Sequence, residues 1–142
     1  MDKKDVKDEV VKIISGHRTG VLSTVENNKP HSRYMTFYND ELTLYTPTKR
    51  DTEKIDEIEK NPSVSVLFGY EQKGQMDSYV EILGTSSIND SDVLKKQFWD
   101  DSFEKWFDGP EDPNYVFLKI NPEIVRILNL HDKPAQEFNL TN

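Results

Sequence analysis

Apolar residues near the start of the chain recur at the spacing of a helix that buries one face. The residues that follow this spacing are Val6, Val10, Val11, Ile13 and Ile14. Side chains three and four positions apart lie on one side of a helix, so the pattern predicts a helix over residues 3–15. Gly16 is expected to end it, because glycine readily adopts the backbone conformation that closes a helix.

Most of the remaining chain is predicted to form short strands. Alternating apolar and polar positions, or dense β-branched residues, predict strands, and turn-forming residues separate them. Asn28 is expected in a left-handed turn, residues 39–40 in a tight turn and Gly74 in a loop. The predicted strands cover residues 19–25, 31–38, 42–46, 63–70, 78–88, 115–120 and 124–130.

Two more helices interrupt the strands. The first is predicted over residues 51–60, with the side chain of Asp51 as its N-terminal cap. The second is predicted after the polar residues 89–92 and includes Phe98 and Trp106. Each helix carries an apolar stripe that would pack against the strands.

The order of elements predicts the fold class. Groups of three, two and two strands are separated by helices, and many strands are joined by short turns. This order favours a mostly β fold with peripheral helices, in which an antiparallel sheet closes fully or partly into a barrel. No linker or repeat divides the chain, so a single domain is expected over residues 1–142.

Composition narrows the classes of partner. The formal net charge is −8, hydrophobic residues make up 35%, and there is no cysteine. A negative protein repels phosphodiester backbones and anionic lipids, so neither nucleic acid nor a membrane is an expected partner. The lack of cysteine, of a signal peptide and of an apolar span predicts a cytoplasmic protein. A small hydrophobic core is often completed by the burial of further apolar surface in an oligomer.

Familiar catalytic and metal-binding motifs are missing. The sequence has no glycine-rich phosphate loop, no G-x-S-x-G elbow and no H-E-x-x-H pair. His17, His31 and His131 lie far apart without the spacing of metal ligands, so no metal site is expected. The aromatic residues between positions 99 and 107 are interpreted as part of a helix and of the core.

Cations and hydroxyl groups are concentrated between Arg33 and Lys54. Arg33 lies in a predicted strand, and Lys54 lies in the first turn of a predicted helix. A lysine there is repelled by the positive end of the helix dipole, and an anion bound beside it would offset this repulsion. The backbone N–H groups at the helix start and hydroxyls such as that of Thr52 would donate to the same anion. Two interpretations remain open: a phosphate site and a solvated helix end.

A series of short segments has the order and spacing of a known family. They are residues 20–25 (GVLSTV), 29–35 (KPHSRYM), 44–46 (LYT), 54–55 (KI), 61–68 (NPSVSVLF), 79–84 (YVEILG), 105–107 (KWF) and 109–113 (GPEDP). Together they resemble the pyridoxamine 5′-phosphate oxidase-like split barrels, and the last three segments resemble its small bacterial branch, the general stress protein 26 group. The resemblance covers residues 10–130.

This resemblance implies a six-stranded antiparallel split β-barrel. It also implies a homodimer that holds two FMN molecules in clefts between its subunits. In such proteins an arginine and a lysine that match Arg33 and Lys54 hold the FMN phosphate, and Thr52 matches a hydroxyl residue that assists them. The backbone from Arg33 onward would follow the isoalloxazine edge. The residues that the resemblance places near the flavin are Tyr34, Met35, Thr36, Tyr45, Thr46 and Tyr79.

The implied function is that of an FMN-dependent oxidoreductase. Larger members of the family continue into a C-terminal segment that grips the vitamin B6 substrate, so oxidation of pyridoxamine phosphate is not expected here. Because a flavin transfers electrons itself, the sequence singles out no catalytic acid, base or nucleophile. The alternatives are a flavin-binding or flavin-storing stress protein without turnover, and an empty barrel that serves as an interaction module. A deazaflavin, FAD or haem, with His131 as the conceivable haem ligand, are further possibilities.

Overall fold

The computed structural model describes residues 2–70, 77–130 and 133–140. Three α-helices, one 3-10 helix and eight strands lie in this part of the chain. In chain order they are α1 Lys3–Gly16, β1 Thr19–Glu26, β2 Lys29–Thr36, β3 Tyr38–Asp40, β4 Thr43–Lys49, α2 Glu53–Lys60, β5 Ser63–Gly69, β6 Tyr79–Asn89, α3 Asp92–Gln97, the 3-10 helix Asp101–Lys105, β7 Tyr115–Leu128 and β8 Gln136–Asn139. The predicted class, mostly β with peripheral helices, is confirmed. The loop around Gly74 and His131 lie outside the described residues.

All eight strands belong to one antiparallel sheet. Its order is β2-β1-β5-β6-β7-β4-β3, and β8 pairs with β7. The sheet curls so that β2 and β4 approach each other without pairing. This gap between β2 and β4, called the seam below, makes the barrel a split one. The strands number eight instead of the expected six, because β3 and β8 are short additions at the margins.

Strand β7 is continuous, whereas two strands were predicted there. Its first half pairs with β4 and its second half with β8, while β6 pairs along its whole length. The register shifts beside Gly84, where an added Cβ would lie 2.1 Å from the carbonyl oxygen of Asn121. Glycine therefore permits a bulge that accommodates Asn121 and Pro122 within the strand, instead of a break.

The turns agree with the sequence at one hairpin and differ at the next. Asn27 and Asn28 have φ of 52° and 62°, so both central residues of the β1–β2 turn are left-handed, as expected for a tight hairpin. The next turn is at Glu41, with φ of 54°, and not at residues 39–40, which form β3. Asn39 stabilises this turn by donating from its side-chain amide to the carbonyl of Glu41.

Both later helices differ from prediction at their ends. Thr52, not Asp51, occupies the cap position of α2, and its hydroxyl donates to the carbonyl of Lys49. The predicted helix that reached Trp106 divides into α3 and the 3-10 helix. Asp100 caps the second piece by accepting from the backbone N–H of Ser102, an interaction that favours a new helix start.

Two apolar clusters lie on opposite faces of β7. Inward residues such as Leu118 and Ile120 join the barrel core, which α1 covers with Val6, Val10 and Ile14. Alternate residues point to the other face and form a second, aromatic cluster beneath α3 and the 3-10 helix. Its fully or mostly buried members are Phe103, Phe107, Tyr115 and Phe117.

Candidate functional site

A cleft of about 560 Å³ lies at the seam between β2 and β4. Strands β2 and β4, the start of α2 and the end of the 3-10 helix each contribute to its walls. Because β2 pairs with β1 alone in the described chain, its other edge is available to a ligand. The lining residues are Thr19, Tyr34, Met35, Thr36, Pro47, Thr48, Lys49, Thr52, Lys54, Phe103, Trp106 and Phe107.

Lys54 forms the polar end of this cleft. Its ammonium donates to the hydroxyls of Thr48 and Thr52, the latter at 3.4 Å. Burial lowers the pKa of Lys54, and the charge of Arg33 lowers it further, whereas Glu57 raises it. A partly buried cation whose hydrogen-bond acceptors are neutral gains from an incoming anion.

Arg33 lies near Lys54 but has a different set of partners. Its guanidinium donates to the hydroxyl of Thr24 at 2.8 Å and to a carboxylate oxygen of Glu57 at 3.2 Å. A longer bond of 3.4 Å reaches the carbonyl of Leu22. The arginine therefore links strand β1 to helix α2, and it is not among the residues that line the cleft in this chain.

Glu57 is a buried carboxylate that the sequence interpretation missed. Only 4% of its side chain is exposed, yet its pKa lies below the ordinary value. The hydrogen bond from Thr24 is the main cause, burial opposes it, and Glu26, Arg33 and His31 contribute in the same direction as Thr24. The sequence did contain a signal for this ion pair. Glu57 lies within the apolar stripe of its helix, and a strand arginine needs a counter-ion.

Aromatic side chains also line the cleft. Phe103 and Phe107 are buried, whereas Trp106 is 56% exposed and Tyr34 is 78% exposed. The sequence interpretation placed Trp106 with the core aromatics, but the 3-10 helix turns it toward the cleft. Large exposed aromatic surfaces beside a polar end suit a ligand with a flat ring and a charged group.

The nine residues that the sequence proposed for the site fall into two groups. Tyr34, Met35, Thr36, Thr52 and Lys54 line the cleft, and Arg33 lies just behind its polar end. The other three do not line it, as described next.

Tyr45, Thr46 and Tyr79 lie elsewhere in this chain. Tyr45 packs against Phe98 in the aromatic cluster, with ring centroids 5.9 Å apart. Thr46 is fully buried on the inner face of β4, and its hydroxyl oxygen has no hydrogen-bond partner among the described residues. Tyr79 lies in a separate groove with its ring 6.0 Å from that of Tyr70.

The family of the chain follows from comparison with known proteins. Residues 6–129 match the model of the pyridoxamine 5′-phosphate oxidase family. The chain belongs to this family. The expected family and its split-barrel fold are therefore confirmed.

Within the family, the chain is similar to general stress proteins. It is 48% identical to General stress protein 26 of Bacillus subtilis (strain 168), over 99% of this chain and 100% of that protein. The crystal structure of General Stress Protein 26 from Bacillus anthracis str. Sterne is 41% identical, with a TM-score of 0.84 over 95% of this chain and 98% of the other.

A more distant structure of the same fold is that of an FMN binding protein. It is a pyridoxamine 5′-phosphate oxidase-related, FMN binding protein from Nostoc punctiforme PCC 73102, at 15% identity. The TM-score is 0.69 over 94% of this chain and 86% of that one. At this identity the likeness shows the fold. Across the described ranges, none of the helices has the length and apolar character needed to cross a bilayer.

Proposed function

We propose that this protein binds FMN in the seam cleft, as a homodimer, and acts as an FMN-dependent oxidoreductase. The observation that carries the proposal is the pairing, in one cleft, of a hydroxyl-lined cation with an exposed aromatic wall. The distant Nostoc punctiforme structure of the same fold is an FMN binding protein, which supports the choice of ligand.

The polar end suits the phosphate group. Lys54 and the hydroxyls of Thr48 and Thr52 already form one hydrogen-bonded group, and the N-terminus of α2 begins at the same place. Backbone N–H groups at a helix start favour an anion, and the lysine adds a full charge. Arg33 contributes its charge from behind Lys54.

The remaining walls suit the isoalloxazine ring. Trp106 and Pro47 offer apolar surface, and the free edge of β2 from Tyr34 to Thr36 offers backbone N–H and carbonyl groups. Such groups would hold the pyrimidine edge of a flavin and stabilise negative charge that develops on it. When bound, FMN supplies the electron-transfer chemistry, and the chain's own residues bind and orient it.

A second copy of the chain would close the cleft. Large hydrophobic side chains are exposed at two places: Tyr34 and Trp106 at the seam cleft, and Leu67 and Tyr70 at the groove that Tyr79 also lines. An interface with a second copy would bury this apolar surface. In the proposed dimer, the Tyr79 groove of one protomer faces the seam cleft of the other.

The test is a titration of the purified protein with FMN and with riboflavin, followed by flavin absorbance and fluorescence. We expect one FMN per chain and much weaker binding of riboflavin, which lacks the phosphate. Equal affinities, or no binding of either, would contradict the proposal. FAD and a deazaflavin, as competitors, report the preferred flavin.

Turnover is measured separately on the FMN-loaded protein. Oxidation of NADH or NADPH with an electron acceptor is the result expected of an oxidoreductase. Tight FMN binding without turnover with any donor would instead assign a flavin-storing role. Analytical ultracentrifugation tests the dimer, and a monomer at micromolar concentration with FMN bound would refute that part.

A further inference from the structure

The β1–β2 hairpin and helix α2 bring a histidine and two glutamates together on the other side of Arg33. Thr24 pairs with His31 across the hairpin, and Glu26 lies two residues along β1 on the same face. Glu57 approaches this face from the second turn of α2, with an oxygen 3.2 Å from Nδ1 of His31. One ligand atom from each of Glu26, His31 and Glu57 lies within 4.8 Å of the other two.

Glu57 is oriented as a metal ligand is oriented in proteins. Its Oε2 accepts from the hydroxyl of Thr24 at 2.6 Å and from Arg33 at 3.2 Å. Its Oε1 faces His31. Carboxylates that bind metals are commonly held by such hydrogen bonds on the oxygen that does not coordinate. This feature is independent of the clustering, and it fixes a side chain that is only 4% exposed.

Two of the three ligands are carboxylates, and a carboxylate oxygen of Glu26 lies within 4.8 Å of one of Glu57. Arg33 donates to Oε2 of Glu57, whereas Oε1 faces His31 and the rest of the group. A cation bound there would offset the repulsion between the two carboxylates.

Open space adjoins the two carboxylate ligands, Glu26 and Glu57. A polar pocket of about 510 Å³ is lined by Glu26 and Glu57, by the turn residues Asn27 and Asn28, and by Lys60. Water molecules in such a pocket would complete the coordination of an ion held by three side chains. The pocket is separate from the seam cleft, with which it shares no lining residue.

We propose that Glu26, His31 and Glu57 form a binding site for a divalent transition-metal ion of the Zn²⁺ class. One imidazole nitrogen and two carboxylate oxygens suit Zn²⁺, Mn²⁺ or Fe²⁺, whereas Mg²⁺ and Ca²⁺ prefer oxygen ligands alone. The ion would tie the hairpin to α2. This site stands whether or not the cleft binds FMN.

The test is calorimetric titration of chelator-treated, dialysed protein with ZnCl₂ and with MgCl₂, at neutral pH. We expect one Zn²⁺ per chain and no heat from Mg²⁺. Bound zinc, measured by elemental analysis after gel filtration, must give the same stoichiometry. Zinc should also raise the midpoint of thermal unfolding, because an ion that binds only the folded chain stabilises it.

Variants locate the ion. His31→Gln and Glu26→Gln should each weaken Zn²⁺ binding at least tenfold and abolish the thermal shift. Glu59→Gln, on the exposed side of the same helix, is the matched control and should bind like the parent. Two separate ligand variants keep the test valid if one of them fails to fold. Absence of zinc binding, or binding that both ligand variants retain, would overturn the proposal.

Discussion

Helix α2 has different polar environments in its first and second turns. In the first turn, Lys54 lines the cleft and, among the residues described, donates to the hydroxyls of Thr48 and Thr52. In the second turn, Glu57 is buried against the hairpin and accepts from Arg33. One turn thus presents a cation with neutral partners, and the next presents an anion with a charged partner.

Arg33 and Lys54 therefore have different roles, although the sequence analysis assigned both to the same phosphate. The charge of Arg33 is largely committed to Glu57, and its side chain is 27% exposed. Glu57 raises the pKa of Lys54, but within the described residues the hydrogen bonds of the Lys54 ammonium go to threonine hydroxyls and not to a carboxylate. An arriving phosphate would therefore gain more from Lys54 than from Arg33.

The largest expected effect on binding comes from Lys54→Ala. The change removes a charge-assisted contact worth about 1.5–3 kcal/mol, so FMN affinity should fall roughly tenfold to a hundredfold. Riboflavin affinity should stay unchanged, because riboflavin has no phosphate. Lys60→Ala, which removes the same charge from the other end of α2, is the control. Fluorescence titration of both variants checks this, and an equal loss for FMN and riboflavin would argue against the phosphate site.

Arg33→Ala should act mainly on stability. Glu57 would lose its charged partner while it stays buried, at a cost of about 1–3 kcal/mol, reduced by the partial exposure of Arg33. FMN affinity should fall less than in Lys54→Ala. Urea denaturation of Arg33→Ala and of the double variant Arg33→Ala/Glu57→Gln checks the cause. If the glutamine does not restore part of the lost stability, the ion pair is not responsible.

Trp106→Ala probes the apolar wall. Loss of aromatic contact should weaken FMN and riboflavin alike by about 0.5–1.5 kcal/mol, which is roughly twofold to tenfold. Because Trp106 is 56% exposed, the free energy of unfolding should change by less than about 0.5 kcal/mol. A loss confined to FMN would place the tryptophan near the phosphate and not near the ring.

The smallest effects come from a matched pair on β4. Thr48 accepts a hydrogen bond from Lys54, whereas the buried hydroxyl of Thr46, two residues earlier on the same face, has no hydrogen-bond partner among the described residues. Thr48→Val should lower FMN affinity by about 1 kcal/mol. Thr46→Val should leave affinity unchanged and leave stability equal or slightly higher. Identical behaviour of the two variants would show that the hydroxyl of Thr48 has no special role.

Local signals predicted the fold well. Asn28 indicated the left-handed hairpin turn, and alternation predicted most strands. The sequence did not predict that β7 is one continuous strand. Asn121 and Pro122 favour a turn, and only the pairing with Gly84 on β6 lets the strand continue through them. Strand β8 was missed because its pairing with the second half of β7 is a long-range contact.

The candidate site was predictable only in part. Arg33 and Lys54 stand out by charge and position, and the structure brings them close. The position of Trp106 depends on a helix break at Asp100 that residue spacing does not reveal. Glu57 of α2 contacts Arg33 and His31 of β2, which are distant in sequence, and no local sequence pattern predicts such a contact.

We propose above all that the polar end of the seam cleft receives the phosphate of FMN. A crystal structure of the protein grown with FMN tests this directly. We expect a phosphate oxygen about 3 Å from Nζ of Lys54, with the ring between the β2 edge and Trp106. Density for the phosphate elsewhere, or a flavin that leaves the ammonium of Lys54 bonded only to the two threonines, would contradict it.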